Sequence, residues 1–245
     1  MINKQVLRKL KKDYFEYILS WVDRKKLLKS KAKFTVSWDA DGDRVFFKDE
    51  KNKKVPAYFI TALLAEIIQQ KYPKAKIAHD SRLVWAIRET VKRTCICKAG
   101  WSNFLNFIRK NRILFGGETS GHYYFASSAS KLVLNDGLIP VLLIAEKIAK
   151  TGKSLAELIR PYQAQYFISP EINFKEKIDL KKLEKNYLGA KISHLDGLSI
   201  EYPDYRFNLR PSQTENLWRL NIEARDKNLL QAKKKELRQK IKALF

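Results

Sequence analysis

Asp39-Ala40-Asp41-Gly42-Asp43-Arg44 is the stretch from which the rest of the chain is read. An alternating run, Phe34-Thr35-Val36-Ser37-Trp38, precedes it, and a second, Val45-Phe46-Phe47, follows. The pattern predicts a tight loop between two strands. In an extended loop the carboxylates at i, i+2 and i+4 point the same way. Three clustered carboxylates repel one another unless something positive sits among them, and a hard cation with oxygen ligands, Mg²⁺ or Ca²⁺, is the obvious candidate. Arg44 adds a fixed positive charge suited to a phosphate. A solvated acidic turn is the alternative. An EF-hand loop fits less well, because it wants glycine at its sixth position, where Arg44 stands, and a helix before it. A haloacid-dehalogenase-type phosphatase wants Thr or Val where this chain has Asp43.

The 245 residues, 45% hydrophobic and 12% aromatic, suffice for a good core in one to three domains. The longest apolar run, 138–145, is interrupted by Pro140 and is far too short to span a membrane. The N-terminus lacks the charged-then-apolar order of a signal peptide. Cys95 and Cys97, two apart on a strand-like run, are poor disulfide partners and too few for a zinc site, so a reducing cytoplasm is expected. The formal charge of +23 suits anionic small substrates or nucleic acid. Aromatic residues do not interleave with the lysine clusters as they would on a stacking platform, which argues against nucleic acid.

Helical period marks 3–29, with Leu7, Leu10, Tyr14, Ile18 and Trp21 on one stripe. After the acidic hairpin, an apolar helix is expected over 55–70, with Pro56 in its first turn. Strands are expected at 76–78, 94–98, 112–115 and 122–126, and helices at 81–92 (capped by Ser81), 101–110, 136–150 and 154–160 (stopped by Pro161). This alternation argues for an α/β unit with a mixed, mainly parallel sheet and flanking helices. Beyond Tyr162 the order becomes strand at 166–169, helix at 180–187, strands at 198–200 and 217–222, and a charged helix over 227–244. That order reads as a small α+β domain.

Two further loops carry chemistry. Gly116-Gly117-Glu118-Thr119-Ser120-Gly121-His122 combines three glycines with a carboxylate, a hydroxyl and an imidazole. Glycine lets the backbone approach a ligand, the carboxylate and hydroxyl suit sugar hydroxyls, and histidine binds phosphate or shuttles a proton. A plain strand connection is the alternative. Arg210-Pro211-Ser212-Gln213-Thr214-Glu215 offers a donor-rich cradle for phosphate, or else a capped turn.

The order of these loops, metal then sugar then phosphate, resembles the α-D-phosphohexomutase family. Its members carry an Asp-x-Asp-x-Asp-Arg metal loop, a Gly-Glu-x-Ser-Gly-His sugar loop and an Arg-x-Ser-x-Thr phosphate loop in three successive domains. Here these look like 39–44, 117–122 and 210–214. Lys98-Ala99-Gly100 resembles the lysine-bearing strand end that faces the substrate, and Asn135-Asp136-Gly137 the opening of the following helix. Asp196-Gly197 and Leu220-Asn221-Ile222-Glu223-Ala224 flank the phosphate loop in the family manner. The resemblance covers roughly 33–245. It implies a truncated second-domain remnant at 1–52, a third domain at 53–164 and a C-terminal domain at 165–245.

There are departures. The family's phosphoserine lies in a Thr-Ala-Ser-His-Asn-Pro-like loop that does not occur in these residues. Trp101 stands where many members have histidine after Lys-x-Gly, Gln213 replaces a common asparagine and Asn216 a common proline. The resemblance implies transfer of phosphate between the 1- and 6-positions of a hexose through an enzyme phosphoserine and a bisphosphate intermediate. Mg²⁺ would be held by Asp39, Asp41 and Asp43, with Arg44, His122 and Lys98 at the reacting end. Gly117, Glu118 and Ser120 would bind the sugar, and Arg210, Ser212, Gln213 and Thr214 the non-reacting phosphate. Hexose phosphate is the expected ligand, and the chain is expected to be either a fragment of such an enzyme or one part of a split enzyme whose N-terminal domains lie on a separate chain. A sugar-phosphate-binding protein without turnover and a basic nucleic-acid-binding protein are the alternatives.

Overall fold

The computed structural model describes residues 4–28, 31–126 and 132–244. Residues 3 and 29, at the ends of the first expected helix, and the side chains of Leu7 and Leu10 lie outside the described set. The chain opens with α1 (Lys4–Ser20) and a single turn, α2 (Arg24–Leu27), capped by Asp23. Ile18 and Trp21 are buried, as their helical spacing requires, and the Trp21 ring meets Phe125 edge-on at 5.0 Å.

The acidic hairpin forms as expected. β1 (Thr35–Trp38) and β2 (Val45–Lys48) pair antiparallel with Trp38 opposite Val45, and β3 (Lys54–Val55) adds a third strand. Val45 and Phe47 point inward while Lys48 is exposed, the period-two pattern of a half-buried strand.

α3 (Ala57–Lys71) is the central helix, with nine buried residues between Tyr58 and Ile68. Around it lies a five-stranded sheet in the order β5-β4-β6-β7-β8, made of β4 (Ile77–Asp80), β5 (Thr94–Cys97), β6 (Phe115–Gly117), β7 (Tyr123–Ala126) and β8 (Val133–Asn135). β4 runs parallel to β5 and β6, whereas β7 and β8 are antiparallel additions, so the sheet is mixed. The helices are α4 (Trp85–Thr90), α5 (Trp101–Asn111), α6 (Leu138–Thr151) and α7 (Leu155–Gln165).

Three local expectations are corrected. Ser81 does not cap a helix; α4 begins at Trp85, and the Ser81 hydroxyl donates to Asp196 Oδ2 at 2.9 Å. Arg112 does not start a strand but ends α5 in the left-handed conformation, with φ of 51°. Pro161 sits inside α7 without ending it. It removes one hydrogen-bond donor, while Leu155, Leu158, Ile159 and Tyr162 are buried on the face that holds the helix in place.

The C-terminal part is antiparallel throughout, in the order β10-β14-β13-β12-β11 with β9 on β14. Its strands are β9 (Phe167–Ile168), β10 (Ile172–Phe174), β11 (Lys191–Ser193), β12 (Leu198–Glu201), β13 (Tyr205–Pro211) and β14 (Trp218–Ala224). Helices α8 (Leu180–Glu184) and α9 (Lys227–Lys242) complete it. Leu230, Leu237 and Ile241 of α9 share a core with Ile200, Phe207 and Ile222. A separate, larger core joins Ile18, Trp21, Val45 and Phe47 to α3, α6 and α7.

The C-terminal sheet docks on the segment before α4 through buried charge. Glu223, fully buried, accepts from Tyr58 Oη at 2.6 Å, Val84 N at 2.7 Å and Arg206 Nη1 at 3.0 Å. Arg206 also donates to the carbonyls of Ser81 and Arg82. Glu201 accepts from Trp85 Nε1 and pairs with Arg88. These bonds fix the sheet carrying Arg210 against the one carrying Glu118.

Candidate functional site

The loop between β1 and β2 turns at Gly42, whose φ of +75° is one that glycine adopts without strain. The turn brings Asp39, Asp41 and Asp43 together, with one oxygen from each within 4.8 Å of the others. Asp39 accepts the Arg44 N–H at 3.1 Å and lies 3.4 Å from Arg44 Nε. Partial desolvation pushes its pKa up, but the Arg44 N–H and charge outweigh this and hold it below the usual range. Asp43 is raised, first by desolvation and then by Asp41 and Asp39, against the opposing pull of His122. Asn135 Nδ2 steadies Asp43 Oδ2 at 2.9 Å. A set of hard oxygen donors at this separation fits a small divalent cation.

The glycine-rich loop returns from β6 to β7. Gly121 N donates to Glu118 O and Glu118 N to His122 O, which closes the loop, and Val45 N donates to Gly121 O at 3.1 Å. The acidic hairpin and this loop are thus joined backbone to backbone. Their side chains meet as well: Arg44 Nε donates to His122 Nε2 at 3.1 Å, and Asp43 Oδ2 lies 3.3 Å from the same nitrogen. The other imidazole nitrogen lies 3.1 Å from Ser120 Oγ and 3.4 Å from Glu118 Oε2.

Glu118 is almost fully buried. It accepts from Tyr124 Oη at 2.8 Å and Gly100 N at 2.9 Å, with Arg82 Nη2 at 3.4 Å. Arg82 in turn pairs with Asp80 at 2.8 Å, and Asp80 also accepts from Thr119 N at 2.7 Å. Burial raises the Asp80 pKa, but Arg82 and these N–H donors overcome it, so the carboxyl titrates below its ordinary range. Gly117 has no room for a side chain, because a Cβ there would come within 2.7 Å of Thr61 Oγ1.

Arg210 lies in β13, one residue before the strand ends, and is buried. Its nearest carboxylates, Asp196 and Glu171, are each 4.0 Å away, and its Nε has no hydrogen-bond partner among the described residues. Burial lowers its pKa first, and the neighbouring Arg82 charge lowers it further. Asp196 Oδ2 accepts from Ser81 Oγ at 2.9 Å and Ala99 N at 3.1 Å. Gly197 after it has φ of +71°, and a Cβ there would come within 2.7 Å of Arg210 Cα.

In the loop after β13, Ser212 Oγ accepts weakly from Thr214 N and Glu215 N, while Gln213 Nε2 donates to Ala99 O at 2.7 Å. Thr214 is exposed. Lys98 is exposed at the end of β5, and its ammonium has no hydrogen bond or ion pair among the described residues. One chain of contacts therefore links all three predicted loops, through Asp43, His122, Glu118, Gly100, Ala99 and Gln213. Sequence reasoning missed Asp80, Arg82 and Tyr124, and did not foresee that Asn135 and Asp196 bind directly. The Asp80-Ser81-Arg82 triplet, polar and charged just after a buried strand, was the available signal.

The family model described as "Phosphoglucomutase/phosphomannomutase, alpha/beta/alpha domain III" matches residues 56–166. A protein described as "Phosphohexose mutases" from Xanthomonas campestris pv. campestris (strain B100) is 37% identical over 216 residues, covering 84% of this chain and 48% of its own length. A phosphomannomutase of Escherichia coli is 38% identical over 216 residues, covering 84% and 47%. The solved structure of a phosphoglucomutase/phosphomannomutase family protein from Burkholderia thailandensis superposes with a TM-score of 0.73 at 26% identity, covering 90% of this chain and 48% of that one. The chain spans about half the length of the curated relatives it matches.

Proposed function

The chain belongs to the α-D-phosphohexomutase family, and on that premise we propose that it forms the sugar- and phosphate-binding part of a phosphohexomutase. Its ligand is a hexose phosphate, and the reaction it serves moves phosphate between the 1- and 6-positions. The observation that carries this reading is the contact path from the acidic hairpin through His122, Glu118, Gly100 and Ala99 to Gln213, in the loop that follows the buried Arg210. Residues 1–52, 53–164 and 165–245 correspond in this reading to part of the second domain, the third domain and the C-terminal domain.

Each group then has a role in this reading. Glu118, fixed by Tyr124 and Gly100, accepts hydrogen bonds from sugar hydroxyls, and Ser120 adds a hydroxyl beside it. His122, between Asp43 and Ser120, holds or moves a proton at its imidazole nitrogens. Arg210, with Ser212, Gln213 and Thr214 above it, clamps the non-reacting phosphate and uses that binding energy for orientation. Lys98 and Arg44 supply positive charge toward the transferring group. Asp39, Asp41 and Asp43 would hold Mg²⁺, whose chemistry when bound is to neutralise charge on the transferring phosphoryl group. The phosphoserine comes from polypeptide outside these 245 residues, because none of their serines lies in such a loop.

Calorimetric titration with glucose 6-phosphate and with inorganic phosphate tests the reading. Arg210→Ala is expected to weaken both by ~2 kcal/mol, as for a lost charge-assisted pair. Glu118→Gln is expected to weaken only the sugar phosphate. A wild-type chain that binds neither ligand overturns the proposal.

A further inference from the structure

The turn that carries Trp101 lies between the sugar and phosphate loops. Gly100 donates its N–H to Glu118, and Ala99 accepts from Gln213, so the backbone of two consecutive residues touches both loops. The turn is tight at Gly100, where φ is +110° and a Cβ would collide with Gln213 Oε1. Trp101 follows as the first residue of α5. The residue is 55% exposed, and its ring makes no contact with another aromatic among the described residues. Its indole N–H has no hydrogen-bond partner there either, and it belongs to no core cluster.

Neither local structure nor packing accounts for an indole at this place. A helix start is served by small polar residues and by acidic ones, not by an aromatic. α5 already anchors itself through buried Phe104 and Ile108. Isolated exposed apolar residues are ordinary on protein surfaces, so exposure alone decides nothing. Position does: the neighbouring residue binds the carboxylate assigned to sugar hydroxyls, and the residue before that binds the loop assigned to phosphate. Trp101 is the next residue in the chain, so a hexose ring held between those two groups lies beside the first turn of α5. The C–H faces of the sugar are apolar and slightly positive, which matches the negative face of an indole, and stacking removes apolar area of both from water.

We propose that Trp101 is a stacking platform for the hexose ring, a specificity-determining residue that favours sugar phosphates over phosphate alone. This rests on the reading of the site as a hexose phosphate site.

The test uses the full chain, with glucose 6-phosphate and inorganic phosphate as separate calorimetric probes. Trp101→Ala is expected to bind glucose 6-phosphate about 5- to 10-fold more weakly, the loss of one aromatic stacking contact, with inorganic phosphate unchanged. Trp101→Phe, which keeps a ring, is expected to recover most of the affinity. The wild-type tryptophan fluorescence is expected to respond to glucose 6-phosphate through a component absent from Trp101→Phe. Affinity for glucose 6-phosphate within twofold of wild type in Trp101→Ala overturns the platform and leaves the site reading intact. Equal weakening of both probes also overturns it, because Trp101 then acts through the phosphate loop. Failure of the wild type to bind either probe removes the site reading and the platform together.

Discussion

Replacing Glu223 by alanine tests whether buried charge holds the C-terminal sheet in register with the glycine-rich loop. The carboxylate is fully buried and accepts four hydrogen bonds: from Tyr58 Oη, Val84 N, Trp85 N and Arg206 Nη1. Truncation leaves the Val84 N–H without a partner and removes the Arg206 counter-ion. Removing one member of a buried pair costs about 3–5 kcal/mol. The lower end applies here, because Arg206 keeps the carbonyls of Ser81 and Arg82 and has Glu201 at 3.8 Å, while the Tyr58 hydroxyl still accepts from Ala86 N. The expected loss is therefore about 3 kcal/mol, read as a lower urea midpoint with an unchanged slope. The mutant is also expected to lose phosphate affinity, since β13 carries Arg210 and contains Arg206. A midpoint shift worth less than about 1 kcal/mol, the scale of one ordinary neutral hydrogen bond, would show that the interface is held by apolar contact and refute the reasoning.

His79 is fully buried, and desolvation lowers its pKa from 6.5 to about 4. Its folded state resists the proton, so it contributes stability above pH 6.5 that is lost as pH falls through 4, roughly 3 kcal/mol in all; His79→Phe is expected to flatten the stability profile across that window. Mg²⁺ is expected to raise the melting temperature by mass action, and Asp41→Asn to abolish the rise; an unchanged response in the mutant would place the cation elsewhere. A coupled assay for conversion of hexose 1-phosphate to 6-phosphate is expected to find no turnover by these 245 residues alone, even with a sugar bisphosphate as primer, because the transfer needs a nucleophile that takes and returns phosphate. Robust turnover would sink that expectation and make Ser120 the first nucleophile to mutate.

The sequence was most legible where local chemistry and tertiary role agree. The acidic hairpin followed from alternation around Gly42, and the helices from their apolar period. The errors came where distant residues overruled local preference. Ser81 reads as a cap, yet Asp196, 115 positions away, takes its hydroxyl. Pro161 reads as a stop, yet the buried face of α7 holds the helix through it. Strands β10 and β11 are three residues each, too short for periodicity to register, and exist because β14 and β12 offer edges. In the site, the three loops were legible because each clusters functional groups within six positions. Asp80, Arg82 and Tyr124 were not, because their partners come from other elements and a buried charge looks like any other charge in one dimension.

Two buried arginines, Arg82 and Arg210, lie close enough for one charge to act on the other, and their surroundings differ. Arg82 is tied to Asp80 at 2.8 Å, and Glu118 lies at 3.4 Å from the same nitrogen. Its burial lowers the pKa, but those carboxylates outweigh it and the net shift is upward. Arg210 is equally buried, but its carboxylates stand at 4.0 Å and its net shift is downward, from burial and from Arg82 itself. A protein normally pairs a buried charge closely, because leaving it otherwise is costly. Arg82 meets that rule and Arg210 does not. On the proposed reading, a bound phosphate would supply the close anion that the fold withholds from Arg210, so the loose pairing of this group favours ligand binding. Arg82 has nothing comparable to gain, which is why Arg210→Ala is expected to act on affinity and Arg82→Ala on the fold.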